Sequence, residues 1–546
     1  MKRLILFLAA VIMAALTAGC EHPAQPDPLP RAMVVSVSVD GKPVLESGTL
    51  NGVSLQPEIA VSFSREITLD ALSLASCISF SGDKMDARLA ENDPSVMILQ
   101  PAAPLNDFSQ YRLGIAAGEG FGVDIIEGFT FSFITAFDDT KDVFPRISTD
   151  ELLTKVQQQT FKYFWDYAHP VSGLARERLG SDETVTTGGS GFGLMTIPVG
   201  IARGFITREE GARQALKVVD FLSDKAEKFH GAFPHWLNGT SGKALAFSTK
   251  DNGADLVETA FLMEGLLTLR AYFDGTDATE TAIRSGVTTL WEDVEWDWFT
   301  RDGQNVLYWH WSPEYEWQMN MPIRGWNEAL IIYVLAASSP THPITKDVYD
   351  KGWAKNVHNG KKYYDITLPL GEACGGPMFF AHYSFLGLDP RSLTDAYANY
   401  WEQNVAHAKI NHAYCAANPK GYYGYSDVCW GLTASDYSKG YIASSPANDT
   451  GTIAPTAALA SMPYTPEESL AALEYFYYRL GGKIWGEYGF KDAFSLEDRW
   501  FATSYIAIDQ GPIVCMIENY RSGLLWNTFM TDPDVRRGLD VLGFSY

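Results

Sequence analysis

At 546 residues the chain exceeds what one hydrophobic core usually serves, and its 46% hydrophobic content supports compact folding in more than one domain. With 66 acidic residues against 42 basic ones the formal charge is −24, which argues against nucleic acid and anionic polymers as partners, since phosphate binding needs a basic surface. A neutral substrate suits such a surface.

Residues 1–20 read as a signal peptide. Lys2-Arg3 supply the positive end, Leu4 to Leu16 an apolar run too short for a confident membrane span, and Thr17-Ala18-Gly19-Cys20 a small-residue cleavage site. A cysteine directly after Ala-Gly is similar to the bacterial lipoprotein signal, although Leu16 stands one place earlier than the usual leucine. Plain secretion is the alternative. The lipoprotein reading makes Cys20 the lipid attachment site and 21–31, with four prolines, a flexible tether. The protein is then expected in the cell envelope at the outer membrane, periplasmic or surface-facing, held by its lipid anchor alone.

Of the remaining cysteines, Cys77, Cys374, Cys415, Cys429 and Cys515, none forms a zinc-ligand pattern, and no metal or cofactor is expected. A Cys415–Cys429 disulfide is left open.

All 15 tryptophans lie between Trp165 and Trp526, and that shift marks a domain boundary. Over 32–138 the apolar residues alternate (Met33-Val35-Val37-Val39, Ile59-Val61-Phe63, Phe129-Phe131-Phe133), which predicts a small immunoglobulin-like β-sandwich. The segment Leu99 to Ile115, with proline, leucine and then a tyrosine entering a strand, resembles bacterial immunoglobulin-like domains. From 148 to 546 the period becomes helical. Helices are predicted over 148–167, 207–229 (opened by a Thr207/Glu210 capping box), 255–273, 278–292, 325–337, 465–480 and 513–525. Paired helices separated by long Trp-, Tyr- and Gly-rich loops suit a mainly α, (α/α)6 toroid; no fixed repeat supports a solenoid.

Acidic residues recur where these helices begin. Asp251, Asp255 and Glu258 are spaced i, i+4, i+7 and share one face if the helix reaches back to Asp251; capping explains one of them, but three aligned carboxylates repel unless something binds there. Glu328 follows Trp326-Asn327 at the start of an apolar helix, a setting that keeps a carboxylic acid protonated. Asp509 precedes Gly511-Pro512 at a predicted loop-to-helix junction. Glycoside hydrolysis needs such carboxyl pairs, and the many tryptophans beside Asp, Glu, Asn and His suit stacking on sugar rings. The run Gly188 to Gly193 has no preceding strand and reads as a tight loop lining a pocket rather than a dinucleotide site.

The motifs GGSGFGLMTIPVGIARGFI, DNGADLVETAFLMEGLL, RGWNEALIIYVLAASSPTHPI, GGPMFFAHYSFLGLDPR, WGLTASD, GTIAPTAALASMPY and IDQGPIVCMIENYRSGLLW, in this order across about 150–545, resemble the glucoamylase-like proteins of Bacteroidetes grouped as glycoside hydrolase family 144. The resemblance implies an (α/α)6 fold and inverting hydrolysis of β-1,2-glucan, endo-acting rather than the sophorose-releasing exo action of some relatives. It implies Glu328 as general acid and Asp509 as general base, with Asp251, Asp255 and Glu258 binding sugar or assisting proton transfer through a substrate hydroxyl or water chain. Phe192, Arg324, Trp326, Asn327, His382, Tyr383, Trp430 and Gln510, from the same motifs, are the expected substrate-binding residues. A monomer acting on a neutral polysaccharide or oligosaccharide is expected. A non-catalytic glycan-binding lipoprotein is one rival. A polysaccharide lyase is the other, and it would want a basic cleft.

Overall fold

The computed structural model describes residues 27–546, so the signal segment, Cys20 and the first part of the tether lie outside the described residues. The chain divides into two compact units between Asp138 and Asp139.

The first unit is built of short strands: β1 (Arg31–Ala32), β2 (Val34–Val39), β3 (Lys42–Val44), β4 (Thr49–Val53), β5 (Ile59–Phe63), β6 (Ile78–Phe80), β7 (Met85–Ala90), β8 (Asp93–Pro101), β9 (Gln110–Ile115), β10 (Gly118–Gly120), β11 (Val123–Ile125) and β12 (Phe129–Thr135), with one helix, α1 (Ala71–Cys77). They form a five-stranded sheet in the order β3-β2-β5-β8-β7, a four-stranded sheet β4-β12-β9-β6 and a small sheet β1-β11-β10. Val37, Val61 and Leu99 of the first sheet share one core with Leu113, Phe131 and Phe133 of the second, as period-2 alternation demands. The alternation fails at Met33 and Val35, which are exposed: the register of β2 against β5 shifts between Val34 and Ser36.

In the second unit the main helices are α2 (Thr149–Trp165), α3 (Thr187–Ala202), α4 (Arg208–Asp224), α5 (Leu256–Tyr272), α6 (Ala278–Glu292), α7 (Leu330–Ser338), α8 (Tyr400–Ala417), α9 (Pro466–Glu474), α10 (Ala507–Arg521) and α11 (Pro533–Leu542). The Thr207/Glu210 capping box opens α4, and Ser148 with Glu151 forms another at α2. Helices α3, α5, α7 and α10 are buried almost all round, whereas α2, α4 and α6 bury one stripe. Helix α3 packs against α5 and α10, α5 against α7, α7 against α11, and α4 against α6.

Three local expectations are corrected. The glycine run 188–193 is not a loop but the first turns of α3. A Cβ on Gly191 would lie 2.0 Å from the Phe261 carbonyl oxygen, and one on Gly265 2.2 Å from that of Gly191, so the glycines let α3 and α5 touch backbone to backbone. Helix α10 begins at Ala507, before the predicted start, and carries Pro512 inside it. Helix α7 begins at Leu330, leaving Glu328 in the preceding turn. All five described cysteines are free thiols, including Cys415 and Cys429. Among the described residues no helix is long and apolar enough to cross a membrane.

Candidate active site

Helix α5 does not reach back to Asp251. Asp255 is its N-cap: Oδ1 accepts from the backbone N–H groups of Val257 and Glu258, both at 3.0 Å. The two-residue strand Ala254–Asp255 pairs with His310–Trp311, which sets His310 opposite Asp255. Asp251 therefore approaches from the loop rather than from a shared helical face, and the three carboxyls still converge. Asp255 Oδ2 lies 3.0 Å from His235 Nδ1, and Asp251 Oδ2 lies 3.5 Å from His310 Nε2. Glu258 accepts the N–H of Gly188, at the start of α3, at 2.7 Å.

Burial would raise all three carboxyls, but the outcome differs for each. Asp255 is held below its ordinary range, because the His235 bond and the charges of His310 and His235 outweigh burial. Asp251 is pushed up to about 7 by burial and then by Asp255, with His235 opposing. Glu258 is raised by burial, against the opposing His235 charge. Burial alone would lower His235; Glu258 and the bonded Asp255 instead raise it to about 9. Potential ligand atoms of His235, Asp251 and Asp255 lie within 4.8 Å of one another, but His235 and Asp255 already satisfy each other as an ion pair.

Beside this cluster lies a cavity of ≈ 340 Å³ lined by Glu258, Glu328, Trp236, Trp309, Phe379, Tyr383 and Tyr441, among others. Ser384 fixes the turn bearing Glu328: its hydroxyl donates to the Glu328 carbonyl and accepts from Ile331 N–H. The carboxyl of Glu328 is pushed up to about 7 by burial and by the nearby charges of Glu258 and Asp255. Asp509, in the first turn of α10, lies behind the wall formed by Ile506, Ile508 and Tyr441 and is 1% exposed. Burial first, then the facing Asp492, drives its carboxyl well above the ordinary range.

Of the predicted substrate-binding residues, only Tyr383 lines the cavity. Phe192 supports it from behind, with ring centroids 5.1 Å from Tyr383 and 5.2 Å from Phe261. Trp326 is packed among Trp353, Phe385 and Tyr400, so the indoles that share the cavity lining with Glu328 are Trp236 and Trp309. Asn327 spends its amide on Arg324 O and Ala329 N–H, and Arg324 donates to Gly352 O. His382 is buried against Ser461, Trp430 donates to Glu468 O, and Gln510 donates to Phe490 O. Asn327, His382 and Trp430 thus spend these groups on the fold rather than on the cavity, while Gln510 Oε1 and Trp326 Nε1 are buried without a partner. His235, His310, Arg178, Asp436, Tyr441 and Asp492 were missed. Asp436 closes the quoted motif WGLTASD, and His310 lies in the aromatic run Tyr308–Trp311, so both stood in view.

The cavity thus presents two carboxyls raised by burial, Glu328 and Glu258, under an aromatic wall, with Asp255 held ionised just off its lining, which is the equipment of a glycoside hydrolase. A family model described as "Putative glucoamylase" matches residues 320–533. A structure under the same description, from Bacteroides uniformis, is 59% identical with a TM-score of 0.73, covering 74% of this chain and 99% of that one. An endo-β-1,2-glucanase from Chitinophaga pinensis, in complex with sophorotriose and glucose, is 51% identical with a TM-score of 0.72, covering 73% and 99%. An exo-β-1,2-glucooligosaccharide sophorohydrolase (non-reducing end) of Parabacteroides distasonis is 48% identical over 420 residues, 72% of this chain; the chain spans 58% of that protein's length. The chain belongs to this glucoamylase-like family, the glycoside hydrolase family 144 that its motifs resemble.

Proposed function

We propose that the protein hydrolyses β-1,2-glucan within the chain, with inversion. The observation that carries this reading is Glu328: a carboxyl held protonated to about pH 7 on the wall of a cavity whose neighbouring wall presents Glu258 and, behind it, ionised Asp255. Glu328 gives its proton to the glycosidic oxygen. Asp509 takes the proton of the attacking water, through a substrate hydroxyl or a water chain, because it stands behind the cavity wall. The activity of the Chitinophaga pinensis relative supports the linkage and the endo action. Release of sophorose from the non-reducing end is the second reading, favoured by the Parabacteroides distasonis relative.

The alternation of fully buried and one-sided helices supports an (α/α)6 toroid for 148–546. In the first unit Tyr111, near the start of β9, accepts the Asn106 N–H on its hydroxyl at 3.1 Å, a corner that supports the immunoglobulin-like reading. Attachment through Cys20 at the outer membrane rests on the sequence alone.

The test is product analysis after incubation with linear β-1,2-glucan, with starch and laminarin alongside. A ladder of β-1,2-oligosaccharides is the expected result. Sophorose alone establishes chain-end attack, glucose from starch overturns the linkage, and no release from any of the three favours a glycan-binding protein.

A further inference from the structure

Asp492 lies in the loop between the short strands Gly489–Phe490 and Phe494–Ser495, 2% exposed. Its Oδ2 accepts the backbone N–H of Asp436 at 2.7 Å. Its side chain and that of Asp509 stand within hydrogen-bond reach of each other, yet no donor reaches Asp492 Oδ1 or Asp509 Oδ2. Two buried carboxylate oxygens cannot remain facing one another unsatisfied, and a single proton between them satisfies both.

Among the described residues the surroundings supply no free cation that would keep both carboxyls charged. Asp436 is matched by Arg178, whose Nη1 donates to its two oxygens at 3.1 and 3.2 Å while Nε donates to Glu177 at 2.9 Å; Ser504 Oγ adds a bond to Asp436 at 2.5 Å. The remaining titratable groups facing Asp509 are the phenol of buried Tyr383 and that of Tyr441, which is half-exposed as a side chain but faces the carboxyls of Asp509, Asp492 and Asp436; both are held above their ordinary range and hence neutral. Asp492 itself is pushed up to about 7 by burial, with its Asp436 N–H bond opposing.

We propose that Asp492 is a positioning residue for the reaction: it shares one proton with Asp509, and the two carboxyls accept the proton of the attacking water as a single unit. This rests on the proposed hydrolysis. In the step, the water oxygen bonds to the anomeric carbon and the bond from that carbon to the glycosidic oxygen breaks. The water's proton brings the Asp492–Asp509 pair from one proton to two, while Glu328 passes its own proton to the departing oxygen. Exchange with solvent then returns one proton to Glu328 and removes one from the pair.

The experiment compares the full chain with D492N, D509N and the double variant. Asn at 492 keeps an oxygen for the Asp436 N–H and offers an amide N–H to Asp509, so the fold is retained. Infrared spectroscopy at neutral pH reads protonated carboxyls directly. Each single variant is expected to lose the same one carboxyl band, and the double variant no more than either single. Loss of two bands in the double variant, or of none in the singles, overturns the shared proton. On linear β-1,2-glucan, D492N is expected to lower kcat about tenfold or more with KM unchanged, and the double variant to be no slower than D509N. Wild-type kcat in D492N overturns the role in the reaction. If the wild-type protein leaves β-1,2-glucan uncut, the function reading falls, while the infrared comparison still decides the shared proton.

Discussion

His235 Nδ1 stands 3.0 Å from Asp255 Oδ2, and each holds the other charged: the imidazole is raised to about 9 and the carboxylate is lowered. Asp255 caps α5, and the charge of His235 opposes the burial that raises Glu258 and Asp251, so the charge state of the pair links helix stability to the chemistry beside it.

A pH dependence follows from that ion pair. A histidine raised from its ordinary 6.5 contributes stability fully below that value and loses it as pH rises through about 9. Asp255, lowered from 3.8, contributes above that value and loses its share on further acidification. His235→Gln should therefore cost about 2 kcal/mol between pH 4 and pH 6.5, with the difference fading above pH 9. Melting temperatures of both proteins across that range check this; a gap that widens with rising pH contradicts the assignment.

Glu328→Gln should reduce kcat on β-1,2-glucan by a factor of about a thousand, in line with loss of a general acid. Folding and oligosaccharide binding should stay near wild type, because the amide fills the same volume. In the wild-type protein kcat should decline as pH rises through about 7, where the Glu328 carboxyl gives up its proton. Steady-state kinetics with calorimetric binding of β-1,2-oligosaccharides separates the two effects. Unchanged turnover in Glu328→Gln would make this glutamate a residue of the helix start only.

The ends of many helices were legible because caps are local: Ser148, Thr207 and Asp255 each bond within three residues of themselves. The convergence of Asp251, Asp255 and Glu258 was also legible, although a turn and a two-residue strand, not one helical face, bring it about. Helix α8 escaped because much of its buried side is polar. Gln403, Asn404, His407 and Asn411 face inward and bond Leu370 N–H, Tyr464 Oη, Gly376 O and Leu432, so no apolar period marks it. Helix α3 escaped because its glycines lower helix propensity, and what requires them is tertiary: Gly191 meets the backbone of α5, Gly189 meets Ala507 of α10 and Gly193 meets the Phe164 ring of α2. Asp492 was silent for the same reason: what makes it unusual is Asp509, and no sequence period joins the two.

Tyr441 and Trp430 should separate binding from packing. Tyr441 is 50% exposed on the strand Gly440–Ala443 and lines the cavity, whereas Trp430 is fully buried with its indole N–H on Glu468 O. Tyr441→Ala should raise KM about tenfold, the value of one aromatic contact, with little change in melting temperature. Trp430→Phe should leave KM unchanged and lower the melting temperature by loss of volume and of a buried hydrogen bond. The reverse pattern would restore Trp430 to the substrate-binding set.

Gly191→Ala tests the backbone contact on which the site is mounted. The new methyl would fall 2.0 Å from the Phe261 carbonyl oxygen and 2.5 Å from its carbon, atoms of α5 that cannot turn aside as a side chain can. The helices must separate, at a cost of about 3 kcal/mol or more. Because Gly188 of α3 donates to Glu258 of α5, the same movement lengthens that bond and loosens a carboxyl at the cavity wall. Activity in surviving folded protein should therefore fall together with the melting temperature. Gly204→Ala, in the turn just after α3 where nothing lies within 4 Å of the added methyl, serves as the control: φ there is +72°, so it should cost only the strain of a left-handed residue and leave kcat intact. Equal losses at the two positions would show that contact between α3 and α5 does not set the requirement for glycine at 191.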